Sequence, residues 1–149
     1  MAPLIALIAG SLVARLAGLL GVDALDGWQP ALRIGLALMF LLTGYAHFAP
    51  SHRRDLIAMV PPVLPRAALL VTATGVLELA GTVGLLVPAS ARWTAAGLAL
   101  LMVAMFPANV YAARRKLTLA GRPVTPLGIR TAEQVLFVGA ALLVLLLPD

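Results

Sequence analysis

From Trp93 to Ala113 the chain runs without a charged residue, bracketed by Arg92 and Arg114. That run constrains the fold more than any other feature. A helix rises 1.5 Å per residue, so about 20 mainly apolar residues cross the roughly 30 Å hydrocarbon core of a bilayer. Four other stretches meet or nearly meet that requirement. They are Pro3–Leu20, interrupted by Arg15; Pro30–Phe48, with Arg33 in its first turn; Ala67–Val87, with Glu78 inside it; and Pro126–Leu147. Hydrophobic residues make up 62% of the chain and charged residues 11%, against roughly 45–50% and 25% in a soluble domain. A chain of 149 residues cannot hide that much apolar surface from water, so lipid is the solvent for much of it. No stretch alternates as a membrane strand would. The predicted fold is an all-α, polytopic transmembrane helical bundle, one membrane domain over residues 1–149.

Composition removes several chemistries. The chain has no cysteine, hence no disulfide, thiolate or cysteine metal site. Its two histidines, His47 and His52, lie in no metal-ligand spacing. No nucleophile sits beside a base and no phosphate loop is present, so no self-contained catalytic constellation is evident. The net charge of +5 comes without an aromatic-basic stripe, which argues against nucleic acid. Arginines in short loops of a membrane protein report topology instead.

Arg53, Arg54 and Arg66 fall between the second and third apolar stretches, and Arg114, Arg115, Lys116, Arg122 and Arg130 around the start of the fifth. Two helices separate these clusters, so both lie on one face. Only Arg15, Arg33 and Arg92 fall at the other. The positive-inside rule then places loops 49–66 and 114–130 in the cytoplasm. Ten arginines against Lys116 suggest a GC-rich bacterial genome, and so a multi-pass protein of a bacterial inner membrane. Pro3–Leu20 is read as a retained spanning helix, with Arg15 snorkelling toward Asp23 and Asp26; a cleaved signal peptide or an interfacial helix are the alternatives. In the fifth segment Thr125 can cap, Pro126 fits the first turn, and Arg130 and Glu133 can pair. Between the second and third stretches, "RRDLIAMV" suits one or two amphipathic turns at the interface. Pro61, Pro62 and Pro65 then force a stiff re-entry, a connector or a lid.

Two polar patterns match. Thr43-Gly44-x-x-His47 and Thr74-Gly75-x-x-Glu78 each put a threonine four residues before an ionisable group, on one helix face. The adjacent glycines let helices approach closely. A charge at a helix centre costs on the order of 3 kcal/mol even on insertion scales, so Glu78 points inward, carries a proton, or both. Pro107 frees the carbonyl of Val103, and Asn109 can cross-link to a neighbouring helix. Depth counted along the helices puts His47 and Asn109 in one layer, with Thr43 and Glu78 below. The expected site gathers Thr43, His47, Thr74, Glu78, Met105, Phe106 and Asn109 around a basic-end pocket.

Phe40, Gly44, His47, Phe48 and Pro50 in "FLLTGYAHFAP", then Pro61 and Pro65, "GVLELAG", and "FPANVYAA" with Pro107 and Asn109 form an ordered set. In that set the chain resembles the DoxX-like family of small bacterial membrane proteins. The resemblance implies a four-helix core over residues 30–147, with 3–20 as an added helix. It also implies a membrane subunit of a redox-linked assembly holding a quinone-like or other lipophilic ligand, with a membrane or cytoplasmic redox protein as partner. Two other readings stay open: a small proton-coupled transporter, for which a homo-oligomer would supply the missing half, and a structural or assembly factor for another membrane protein.

Overall fold

A computed structural model describes residues 1–148. Each apolar stretch is helical, since only a helix satisfies its own backbone in lipid without a partner strand. The elements are α1 (Ala2–Leu19), a single 3-10 turn (Asp23–Leu25), α2 (Trp28–Ala46), α3 (Pro50–Met59), α4 (Ala67–Leu86), α5 (Pro88–Arg114), strands β1 (Thr118–Leu119) and β2 (Arg122–Pro123), and α6 (Leu127–Leu146). Proline opens α1, α3 and α5, where the missing N–H would have had no intrahelical partner anyway.

Helices α1, α4, α5 and α6 are each long and apolar enough to cross a membrane. Helix α2 reaches that standard only together with α3, from which it is bent by 88°. The reason lies in its position. It packs against α1, α4 and α6, so one face meets protein, while Leu38, Leu41 and Leu42 stay exposed. It can therefore carry Gln29 and Arg33 on its buried face. The apolar core forms around it from Leu7, Leu36, Met39, Phe40, Leu85, Leu98, Met102 and Val144. The outside is also apolar: Val13, Leu19, Val83, Leu100, Val103 and Leu146 are exposed, as lipid-facing residues should be.

Polar contacts tie the two ends of the bundle. Arg33 donates from Nε to the carbonyl of Leu85 at 2.8 Å and from Nη2 to Leu86 at 3.2 Å. A cation there satisfies end carbonyls of α4 and opposes the helix dipole. Arg92 at the start of α5 donates to the Leu147 carbonyl at 3.1 Å. Arg15 pairs with Asp26 at 2.7 Å and lies 5.9 Å from the Trp28 ring centre, a cation–π distance. At the opposite end Met1 meets Glu133 at 3.5 Å. Here α3 lies across the bundle and the β1–β2 hairpin folds onto it. Its turn residues Ala120 and Gly121 have φ of 50° and 76°, as a tight two-residue hairpin requires. The Ala120 N–H donates to Asp55 Oδ2 at 2.8 Å.

Three local expectations change. The surface turns are a full helix, α3, from Pro50 to Met59. No side chain caps α6; Thr125 instead offers its carbonyl to Arg130 Nε at 3.3 Å. Arg130 and Glu133 do not pair: Glu133 turns to the Met1 amine, while Arg130 reaches across to α5.

Candidate functional site

The two Thr-Gly motifs meet where α2 crosses α4. A Cβ on Gly75 would stand 2.5 Å from His47 Cβ and 2.9 Å from Phe48 Cε2. One on Gly44 would stand 2.9 Å from Leu79 Cγ and 3.3 Å from Glu78 Cβ. Each glycine thus admits the helix that carries the other motif's ionisable residue. This reciprocity is why both motifs need glycine at the same offset.

The crossing buries both groups: His47 is 8% exposed and Glu78 2%. His47 Nδ1 lies 2.8 Å from the carbonyl oxygen of Thr43. A carbonyl only accepts, so this contact fixes the ring proton on Nδ1. The same nitrogen stands 3.8 Å from Glu78 Oε2, an ion-pair distance but beyond a direct hydrogen bond. Glu78 Oε2 is sealed from solvent and has no hydrogen-bond partner. The Thr43 hydroxyl donates to the carbonyl of Phe40 on its own helix at 3.5 Å. One turn further along α4, Thr82 donates to the carbonyl of Glu78 at 3.1 Å.

Arg53 closes the site from α3. Its Nη1 donates to the carbonyl of His47 at 3.0 Å and its Nη2 to Thr72 Oγ1 at 2.9 Å. One guanidinium therefore joins the end of α2, the surface helix and the first turns of α4. The sequence offered a signal for it: a cation just past a helix C-terminus, where free carbonyls favour positive charge.

The expected constellation is gathered in part. Thr43, His47 and Glu78 come together. Thr74 bonds back to Leu70 and Val71 of its own helix at 2.9 and 3.2 Å. Asn109 does cross-link helices, but its amide oxygen accepts from Arg130 Nη1 of α6. Met105 and Phe106 are half-buried on α5 before Asn109, outside the pair's hydrogen-bond network. Sequence reasoning paired Arg130 with Glu133 and missed its contact with Asn109, although a cation inside an apolar segment is the same signal that marked Glu78. Two apolar grooves lie elsewhere, on the flanks of α1. One of about 560 Å³ is lined by Leu7, Leu32, Leu136 and Leu143, and one of about 410 Å³ by Val13, Leu25 and Ile34.

Chemically, a carboxyl held just beyond contact with an imidazole N–H can take up a proton or accept from a small donor. With Arg53, the site also ties α2, α3 and α4 together.

The chain matches the family model described as Domain of unknown function (DUF8561) over residues 36–145. No curated protein and no solved structure matches it. The matched stretch runs from inside α2 through almost all of α6 and contains every residue of the His47–Glu78 site. The chain belongs to the DUF8561 family.

Proposed function

We propose that the chain is a DoxX-like membrane subunit of a redox-linked assembly, and that the His47–Glu78 pair takes up a proton or the polar head of a quinone-like lipophilic ligand. The basic end faces the cytoplasm of a bacterial inner membrane in this reading. The four-helix core is α2, α4, α5 and α6, with α1 added. The match that begins at residue 36 supports that division, because it leaves α1 out. The observation that carries the site reading is Glu78 Oε2, buried and unpartnered 3.8 Å from His47. A carboxyl oxygen left so costs on the order of 1–3 kcal/mol, and intramembrane ionisable residues are functional candidates for that reason. An acceptor in that state suits a ligand O–H, such as that of a quinol, or an arriving proton.

Mild-detergent purification with quinone, lipid and partner-protein analysis tests this. Bound quinone or a redox partner, lost in Glu78→Gln with the fold retained, is the expected result. A protein partner without cofactor, unaffected by Glu78→Gln, would replace this reading with the assembly-factor one. Substrate-driven flux in liposomes would replace it with a proton-coupled transporter.

A second reading has its own support. Arg53 joins three elements at this point, and polar residues in membrane bundles often serve only to hold helices together. In that case Glu78→Gln leaves partner content and function unchanged.

A further inference from the structure

We propose that the end of the bundle carrying α3 and the hairpin is a binding surface for anionic phospholipid headgroups. The inference is independent of the redox reading. Arg54 on α3, Arg66 at the start of α4, Arg114, Arg115 and Lys116 at the end of α5, and Arg122 on β2 are all exposed there. None of these six cations pairs with a carboxylate among the described residues. The acids at this end are already engaged. Asp55 accepts from the Ala120 N–H and Glu133 meets the Met1 amine. With Asp55 the one acid on it among the described residues, the surface keeps a large positive excess.

Two features decide for lipid over an acidic protein. The first is placement. Helix α3 leaves α2 at 88°, so it lies across the ends of helices long enough to span a bilayer. The cations around it stand at the level of the headgroups. The second is an apolar anchor beside the charge. Val63 is 86% exposed and Leu64 45%, between Pro61, Pro62 and Pro65, which stiffen the segment. Apolar prongs flanked by Arg54 and Arg66 match the chemistry of an interfacial segment, with side chains among acyl tails and cations among phosphates. The Asp55–Ala120 bond brings Arg122 onto the same platform. Basic side chains near an anionic leaflet add to its attraction one by one, and salt screens them beyond a Debye length of about 10 Å at 0.1 M.

The test uses the full purified chain in mild detergent, with equal amounts of phosphatidylglycerol and phosphatidylcholine, counting retained lipids by native mass spectrometry. We expect phosphatidylglycerol to be favoured by about fivefold or more at low salt, falling below about twofold at 0.5 M salt. The combined variant Arg114→Gln, Arg115→Gln and Lys116→Gln should lose at least half of the preference. Arg122→Gln, on the exposed hairpin, should lower it by a smaller step and serves if the triple variant does not fold. Equal retention of the two lipids overturns the proposal, as does a preference that survives high salt or both variants. Equal retention together with capture of polyglutamate would assign the surface to an acidic protein instead.

Discussion

The spacing of Glu78 and His47 from Thr43, Gly44, Thr74 and Gly75 is itself a packing instruction. A glycine beside each ionisable group's helix face makes room for the partner helix, and the geometry at Gly44 and Gly75 shows that room in use. Asn109 was legible as a cross-link but not in its partner. Counting residues gives the depth of a side chain and not the direction in which its helix turns it, so a layer shared with His47 did not reveal that Asn109 faces Arg130. The glycine argument predicts a contrast. Gly75→Ala should destabilise the bundle by about 1–3 kcal/mol, because its Cβ meets His47 and Phe48. Gly97→Ala, whose Cβ meets nothing within 4 Å, should be neutral or stabilise by up to about 1 kcal/mol through helix propensity. Unfolding in a detergent titration measures both. For the pair itself, Glu78→Gln keeps the shape and most hydrogen bonding while deleting the charge. It should leave thermal stability within about 1 kcal/mol of the parent and abolish ligand or partner retention. Unchanged retention would leave only the helix-joining role.

At the scale of elements, the apolar runs announced α1, α4, α5 and α6 within a few residues. Helix α5 starts earlier than its charge-free run, at Pro88, because Arg92 at an end can reach the Leu147 carbonyl instead of lipid. Helix α2, expected over Pro30–Phe48, turns Gln29 and Arg33 toward its protein neighbours and leaves Leu38, Leu41 and Leu42 exposed. The β1–β2 hairpin was not anticipated, since two-residue strands carry no periodicity. Its positive-φ turn at Ala120-Gly121 is stabilised from outside by Asp55. Two predictions belong here. Arg33→Met should cost about 1.5–3 kcal/mol, the range for hydrogen bonds from a charged donor, by freeing the carbonyls at the end of α4. Arg53→Gln should raise amide exchange throughout α3 with little change in α5 and α6, since α3 loses its ties to His47 and Thr72. Hydrogen–deuterium exchange with peptide resolution separates the two outcomes.

For the whole molecule, the central claim is a bundle that crosses the membrane with its basic, site-bearing end on one side. The chain supports this by the grouping of contacts. Arg15–Asp26, Arg33–Leu85 and Arg92–Leu147 mark one end; Arg53–His47, Asp55–Ala120 and Asn109–Arg130 mark the other. The basic residues crowd the second end, and the orientation we propose, read from the positive-inside rule, puts that end in the cytoplasm. The absence of cysteine in all 149 residues allows a clean measurement. Single variants Ser51→Cys and Gly121→Cys report the basic end, and Ala89→Cys, in the first turn of α5, reports the other. The account predicts that a membrane-impermeant maleimide labels Ala89→Cys in intact bacterial cells with a permeable outer membrane. Ser51→Cys and Gly121→Cys should react only after the inner membrane is opened. Labelling of Ser51→Cys and Gly121→Cys in intact cells, or of all three from the same side, would contradict it.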